Sequence, residues 1–376
     1  MASREGAAEG GFKGGIPPRP SVPPERSGGG QFRSKKVRAK FRISHMKILV
    51  LEPGAWGTAL GILLSKKNQV SFWYENPEFS FKLSKFRENE KLPEIKIPKK
   101  IFISSNLEQL ITGTNLILIA SPSFNFRKTL LKIKRFKKLP PFLGIAKGIE
   151  KETLKVPSQI VEEVLGSIPY AHLSGPGFAK EIVRGKRAQE VIASKNRTFL
   201  EKLKEVFQVK PLKIYTTTDL IGVQLAGTIK NSLAIGISLV EAARPKPEIE
   251  KIRPKLIEQG LEEMIKIGKA MGGKEKTFLG PAGLEDLILT STNPLSRNFQ
   301  FGKNLYLDAE KMRQDIRERR ITAEGFDNAW ALHKLGKRHK LDLPIINEIY
   351  KVIYKKVSPK KTIKNLIELM EACESG

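Results

Sequence analysis

The stretch KILVLEPGAWGTAL, Lys47 to Leu60, decides the fold. A short apolar run predicts a buried strand, glycines follow at Gly54 and Gly57, and an apolar segment of helical character begins. Strand, glycine turn and helix together are typical of a dinucleotide-binding turn, in which amides at the helix start face a pyrophosphate. Glu52, however, stands where the G-x-G-x-x-G pattern has its first glycine.

Two acidic residues bear on this turn. Glu75 follows the second predicted strand, VSFWY, where a carboxylate accepts the ribose hydroxyls and repels a 2′-phosphate; this favours NAD over NADP. At about 5 Å and an effective dielectric near 20, the charge of Glu52 would repel a phosphate charge by roughly 3 kcal/mol. Pro53 favours an extended Glu52, which would turn its carboxylate away. We therefore expect an intact turn with weakened cofactor affinity.

The chain divides into three segments. Residues 1–45 hold eight glycines and five prolines without apolar periodicity, so we expect a disordered basic leader. In residues 46–217, short apolar runs alternate with helical segments, which predicts a parallel sheet with crossover helices. Residues 218–376 are almost entirely helical in character. The predicted fold is α/β: a Rossmann-type parallel-sheet nucleotide-binding domain followed by an all-helical C-terminal domain that carries the substrate and catalytic residues.

The formal net charge of +28 calls for an explanation. Residues 1–45 carry ten Lys or Arg against three Glu, a net +7, and the remaining charge is spread through the chain. Nucleic-acid binding is one interpretation. We favour a lysine-rich solvated surface that attracts anionic small molecules, because no aromatic-rich basic motif accompanies the charge. A basic tail that tethers the protein to nucleic acid stays open as an alternative.

Composition narrows the class of protein further. The single cysteine, Cys373, excludes a disulfide within the chain and suits a reducing compartment, which favours a cytoplasmic location. No apolar run reaches the roughly 18–20 nearly uncharged residues of a membrane span, and no signal peptide is evident. The four histidines show no metal-ligand spacing, so we expect no metal site.

Two lysines are candidates for chemistry. Lys230 is the only charge between Val223 and Val240, where a lysine either extends to solvent or belongs to a site. Burial and a neighbouring cation would lower its pKa toward the range of a general base. Lys147, in GIAKGIE, follows a buried strand and so lies at the carboxyl edge of the sheet, where ligands bind. Lys147 alone could equally be a surface lysine.

Two further segments have a ligand-binding and a purely structural interpretation. Asp286 precedes a hydroxyl-rich turn and then Ser296-Arg297-Asn298, whose donors suit a phosphate or carboxylate. The alternative is an ordinary loop with a helix cap. The stretch LSGPGFAKE, 173–181, follows a short strand and is either a ligand-contacting loop or a tight turn.

Together these segments resemble the bacterial type of NAD(P)-dependent glycerol-3-phosphate dehydrogenase. The resemblance covers about 47–355, and its motifs occur in the order GAWGTAL, AKGIE, SGPGFAKE, IGVQLAGTIKNSLAIG, PAGLEDLILTST, SRNFQFG and AEG. It implies reversible hydride transfer between dihydroxyacetone phosphate and sn-glycerol 3-phosphate for phospholipid synthesis, in a homodimer.

The resemblance also implies roles for individual residues. Lys230 is the proton acceptor, Lys147 touches substrate and cofactor, and Asp286 orients Lys230 and the substrate hydroxyl. The implied substrate-binding residues are Lys147, Gly175, Gly177, Lys230, Asp286, Ser296, Arg297 and Asn298. The implied cofactor-binding residues are Gly54, Ala55, Trp56, Gly57, Glu75, Lys147, Ala179, Arg297, Thr322 and Glu324.

Some positions depart from the family pattern. Glu52 replaces a glycine, and Gly177 replaces the usual Ser or Thr and so removes a hydroxyl from the substrate loop. Glu75 replaces the usual Arg or His, which predicts a preference for NADH over NADPH. Two other functions stay open: another two-domain 2-hydroxyacid or ketoacid reductase, or a degenerate, non-catalytic nucleotide-binding paralogue.

Overall fold

A computed structural model describes residues 45–372. Residues 1–44 of the predicted leader and Cys373 therefore lie outside the described residues. The strands are β1 Lys47–Leu51, β2 Gln69–Trp73, β3 Phe102–Ser104, β4 Leu116–Ile119, β5 Phe142–Gly144, β6 Tyr170–Ser174, β7 Ala188–Ala193 and β8 Leu212–Thr217.

Helices connect the strands and then form the C-terminal half. Among the strands lie α1 Ala55–Leu64, α2 Pro77–Phe86, α3 Leu107–Ile111, α4 Phe126–Ile133, α5 Pro157–Leu165, α6 Ala179–Val183 and α7 Arg197–Val206. After β8 come α8 Leu220–Ala243, α9 Lys246–Ala270, α10 Glu275–Phe278, α11 Asp286–Thr292, α12 Arg297–Leu307, α13 Ala309–Arg317, α14 Glu324–His339, α15 Pro344–Tyr354 and α16 Pro359–Ala372. The predicted fold class, a parallel-sheet domain followed by a helical one, is confirmed.

The eight strands form one sheet in the order β3-β2-β1-β4-β5-β6-β7-β8. Every neighbouring pair is parallel except β6 and β7, which run antiparallel with Ser174 opposite Val191. The predicted parallel sheet therefore contains one antiparallel pair. Because β7 runs the other way, its first residues lie at the edge where β1, β4, β5 and β6 end.

The glycine turn after β1 takes a conformation that the sequence did not predict. Glu52 has φ +50°, in the left-handed region, and not the extended conformation expected from Pro53. Its N–H donates to the carbonyl of Trp73 at 2.9 Å, and its Oε1 accepts from the N–H of Glu75 at 2.7 Å. These two hydrogen bonds to the end of β2 outweigh the local bias from proline.

Gly57 sets how closely α1 packs on the sheet. A Cβ at Gly57 would lie 2.5 Å from the Cβ of Ala120, just beyond β4, and 3.0 Å from that of Pro53. Gly54 is different, since a Cβ there would meet only Lys91 Cδ, at 3.8 Å. The two glycines thus have separate roles: Gly57 permits helix–strand contact, and Gly54 leaves the start of the helix uncovered.

Helix α8 is the core of the C-terminal half. It is buried on nearly every face and packs against α9, α11, α12, α14 and α15. Within residues 45–372 it is the one helix with the length and hydropathy of a membrane span, and 94% of that window is buried inside the protein. We interpret it as a core helix. Asp219 caps its N-terminus by accepting from the N–H of Gly222 at 3.0 Å.

We predict that alanine destabilises the protein at Gly57 and has little effect at Gly54. Gly57→Ala should lower the free energy of unfolding by about 1–3 kcal/mol, because the new methyl group overlaps Ala120 and pushes α1 off the sheet. Gly54→Ala should change it by less than about 0.5 kcal/mol, since that position has room and φ −75°. Urea unfolding followed by circular dichroism measures both; equal losses would contradict this packing role.

Candidate active site

One buried carboxylate joins two lysines from different elements. Lys230 of α8 donates from Nζ to Asp286 Oδ1 at 2.7 Å and to Thr290 Oγ1 at 2.6 Å. Lys147, three residues beyond β5, donates from Nζ to Asp286 Oδ2 at 3.1 Å. Asp286 is 1% exposed. The lysines predicted separately therefore meet at the carboxyl edge of the sheet.

Local structure holds each member of this cluster in place. Asp286 begins α11 directly after a π-helical turn, Pro281–Glu285. Asp286 and Thr290 are one helical turn apart and so share a face of α11. The loop of Lys147 is fixed by Asn328 of α14, whose Nδ2 donates to the Lys147 carbonyl at 3.0 Å. Gly227 lets α8 approach closely, because a Cβ there would lie 2.4 Å from Ser174 Oγ at the end of β6.

The two lysines differ in protonation. The pKa of Lys230 is lowered to about 8: burial lowers it most, the Asp286 carboxylate opposes, and the Lys147 ammonium also lowers it. Burial also lowers the pKa of Lys147, but Asp286, Glu190 and Glu324 outweigh that effect and leave it raised. Lys230 can therefore gain and lose a proton near neutral pH, whereas Lys147 stays a cation. The pair supplies a proton-transfer group and a fixed positive charge for an anionic substrate.

A second region lies over the ends of β1 and β2. A cavity of about 640 Å³ opens there, with lining residues that include Glu52, Glu75, Phe79, Lys91, Lys128 and Lys132. The neighbouring helix α1 begins at Gly54 with neither a side-chain cap nor an acidic residue in its first turn. Uncapped helix-start amides beside an open glycine suit a pyrophosphate. The residues present thus fit a dinucleotide cofactor.

Charges around this cavity are nearly balanced. Glu75 forms an ion pair with Lys132, and Lys128 Nζ lies 3.9 Å from Glu75 Oε2. Burial raises the pKa of the Glu52 carboxyl, and Lys132, Lys91 and Lys128 oppose that effect. Three lysines therefore face two carboxylates, which offsets the repulsion expected from Glu52 alone.

The Ser296-Arg297-Asn298 segment lies at the start of α12. Ser296 caps that helix by accepting from the N–H of Phe299 at 3.2 Å. Asn298 Oδ1 accepts from the N–H of Gly325 at 3.0 Å and so fixes the start of α14. Arg297 is exposed. Of the three side chains, two already have structural partners, and the guanidinium is accessible to a ligand.

The remaining predicted positions fall into two groups. Ala55 and Trp56, at the start of α1, pack in one cluster with Ala179, the first residue of α6. Thr322 lies just before α14, and Glu324 is its first residue. Burial raises the pKa of the Glu324 carboxyl, with Arg297 opposing, and Glu324 Oε1 accepts from the N–H of Ser123 at 3.4 Å.

Sequence reasoning missed three residues around the lysine cluster. They are Thr290, Asn328 and Glu190, all buried. Only Thr290 had a usable signal, its spacing of four from Asp286, but the sequence predicted a hydroxyl-rich turn there and the structure has helix α11. Over residues 45–372, no three His, Cys, Asp or Glu side chains are close enough to hold a metal ion.

Both halves of the chain match models of one protein family. Residues 47–200 match the family model for the NAD-dependent glycerol-3-phosphate dehydrogenase N-terminus, and residues 219–364 match that for its C-terminus. The chain is 36% identical over 327 residues to a glycerol-3-phosphate dehydrogenase [NAD(P)+] of Janthinobacterium sp. (strain Marseille), covering 86% of this chain and 97% of the relative. It is 36% identical over 332 residues to that of Wigglesworthia glossinidia brevipalpis, covering 86% and 98%.

Solved structures agree. Glycerol-3-phosphate dehydrogenase from Coxiella burnetii superposes with a TM-score of 0.80 at 29% identity, covering 86% of this chain and 99% of the other. The family models span most of the chain, and the relatives match nearly over their full length. The chain therefore belongs to the NAD(P)-dependent glycerol-3-phosphate dehydrogenase family.

Proposed function

We propose that this chain catalyses reversible hydride transfer between NAD(P)H and dihydroxyacetone phosphate, giving sn-glycerol 3-phosphate for glycerophospholipid synthesis. Family membership supports the reaction, and the observation that carries it is the buried Lys230–Asp286–Lys147 arrangement. A degenerate paralogue would not need to keep two buried lysines on one carboxylate. We also place the domain boundary at 217/218 and expect a cytoplasmic homodimer.

The chemistry divides between cofactor and protein. The bound nicotinamide supplies or accepts the hydride at C2 of the substrate. Lys230 gives a proton to the C2 oxygen in reduction and takes it back in oxidation, since its pKa of about 8 permits both forms. Asp286 holds Lys230 in position, and the Lys147 ammonium stabilises negative charge on the substrate oxygen.

Substrate and cofactor would meet between the buried lysine cluster and the cavity over the ends of β1 and β2. We propose that Arg297 binds the substrate phosphate with its planar donors, while Ser296 and Asn298 place it at the start of α12. Gly175 and Gly177 belong to the loop that would contact the substrate. Gly54, Ala55, Trp56, Gly57, Glu75, Ala179, Thr322 and Glu324 would contact the cofactor.

Another two-domain reductase is the alternative. A 2-dehydropantoate 2-reductase of Bacillus subtilis has a TM-score of 0.53 with this chain at 12% identity, which shows a shared fold alone. The full-length relatives at 36% identity favour the triose phosphate as substrate. We further propose that the enzyme prefers NADH, because the Glu75 carboxylate would repel a 2′-phosphate.

Lys230→Ala should lower kcat for dihydroxyacetone phosphate reduction by at least about a hundredfold, since it removes the proton donor. In the wild type, reduction should fall above pH 8 as Lys230 loses its proton, and oxidation of glycerol 3-phosphate should fall below pH 8 as Lys230 gains one. Steady-state assays of NADH absorbance measure both. Lys195→Ala, at an exposed lysine, is the control; an active Lys230→Ala enzyme would contradict this role.

Glu75→Gln should shift the cofactor preference toward NADPH. Removing the carboxylate leaves Lys128 and Lys132 without their shared anion, so both can attract a 2′-phosphate. We expect kcat/KM for NADPH to rise about tenfold relative to that for NADH. Glu78→Gln, at an exposed carboxylate paired with Lys82, is the matched control. A wild type that already prefers NADPH would refute the assignment of Glu75.

Glu52→Gly should lower KM for NADH by about three- to tenfold, because it removes one negative charge beside the pyrophosphate position. The left-handed φ of +50° suits glycine, so the turn should persist. Lys340→Gly is the matched control: it relieves a similar φ of +54° at the end of α14. Lys340→Gly should gain stability; in Glu52→Gly the relieved φ is offset by loss of the hydrogen bond from the Glu75 N–H, and only Glu52→Gly should change KM.

Two results would overturn this interpretation of Glu52. An unchanged KM for NADH would show that the carboxylate does not act on the cofactor. Turnover present in Glu52→Gly but absent in the wild type would identify the chain as a degenerate relative.

A further inference from the structure

Glu190 is a buried carboxyl group that the reaction scheme above does not use. It lies near the start of β7, is 1% exposed, and belongs to an otherwise largely apolar strand. Because β7 runs antiparallel to β6 with Ser174 opposite Val191, Glu190 lies beside the loop that begins at Gly175. The reversal of β7 thus brings this residue to the edge of the sheet where the catalytic cluster lies.

The substrate loop passes directly over the Glu190 carboxyl. A Cβ at Gly175 would lie 2.8 Å from Glu190 Oε2, and one at Gly177 would lie 3.2 Å from Glu190 Oε1. A side chain at position 177 would therefore have to fit between Glu190 Oε1 and Ile182 Cδ1, which would lie 2.7 Å from its Cβ. The Glu190 carboxyl thus lies beside a loop position, Gly177, that has no side chain of its own.

Glu190 Oε1 has no hydrogen-bond partner in the described part of the chain. Glu263, also fully buried, is different: its two oxygens accept from the N–H groups of Ile345 and Ile346 at 2.6 and 3.0 Å. A structural carboxyl in this protein is thus satisfied by backbone amides. An unpartnered one beside a substrate loop points to a ligand.

Charged groups from three elements act on Glu190: Lys147 beyond β5, Lys230 on α8 and Asp286 on α11. The pKa of the Glu190 carboxyl is raised to about 8: burial raises it most, Lys147 and Lys230 oppose the rise, and Asp286 adds to it. At neutral pH the group is therefore mostly a carboxylic acid. In that form it can donate a hydrogen bond, as a hydroxyl does, without repelling an anionic substrate.

We propose that Glu190 is a substrate-binding residue whose carboxyl donates to an oxygen of the triose phosphate the hydrogen bond that Gly177 cannot provide. The proposal rests on the proposed function and adds a residue to it. Gly177 and Glu190 act as a pair: Gly177 has no side chain, and the Glu190 carboxyl occupies the space beside it.

Three variants test the pair: Glu190→Gln, Glu190→Leu and the double variant Gly177→Ser/Glu190→Leu. Glutamine keeps a donor in nearly the same shape. Leucine removes the donor and ends one atom short of the carboxyl oxygens, which leaves room for a serine hydroxyl. Each is assayed for KM of dihydroxyacetone phosphate and of NADH, for kcat, and for Tm.

Glu190→Leu should raise KM for dihydroxyacetone phosphate about three- to tenfold, the range for one hydrogen bond, and leave KM for NADH within about twofold. Its Tm should hold or rise, because leucine replaces an unsatisfied buried carboxyl. Glu190→Gln should stay near the wild type, and serine at position 177 should recover most of the loss in the leucine background. Above pH 8, KM for dihydroxyacetone phosphate should rise in the wild type more than in Glu190→Gln, which cannot ionise.

Several outcomes would overturn the proposal. They are an unchanged KM in Glu190→Leu, a Glu190→Gln variant as impaired as Glu190→Leu, and no recovery with serine. A fall in Tm that parallels the rise in KM would assign Glu190 a structural role instead. If the wild type turns over dihydroxyacetone phosphate and Glu190→Leu behaves identically, only the inference about Glu190 is refuted. Wild-type enzyme without turnover refutes the proposed function and, with it, this role.

Discussion

The carboxylate of Asp286 is the interaction on which the site depends. Two ammonium groups converge on its two oxygens, from a loop beyond β5 and from the middle of α8. In a buried site such cations repel strongly unless an anion lies between them. Asp286 therefore permits both the proximity of the lysines and their different pKa values. It also ties the loop beyond β5 to α8 and α11.

Much of the surrounding structure serves that geometry. Helix α8 must be apolar on nearly every face because sheet and helices enclose it, and this burial is what lowers the pKa of Lys230. Gly227 removes the side chain that would collide with Ser174. Asn328 uses its amide to hold the loop of Lys147 against α14. The pKa of Lys230 and the packing of α8 are thus not separable.

The sequence predicted the architecture well because its signals were local. The strand–glycine–helix stretch, the buried runs and the isolated charge of Lys230 each depend on a few neighbouring residues. The structure departs where distant contacts decide. Hydrogen bonds to the end of β2 place Glu52 in the left-handed region despite Pro53. Pairing with β6 reverses β7, and a parallel β7 would have carried Glu190 to the opposite edge.

The position of Glu52 shows how such a departure can be tolerated. The family pattern has glycine there because the turn requires positive φ and closeness to a pyrophosphate. This chain meets the first requirement with two hydrogen bonds to β2. Closeness to a phosphate would bring repulsion from the Glu52 carboxylate. Lys91, Lys128 and Lys132 offset that repulsion, because they line the same cavity and exceed Glu52 and Glu75 by one positive charge. The lysine-rich composition, which by itself identified no partner, has a local effect here: it leaves a cavity with two carboxylates with an excess of positive charge.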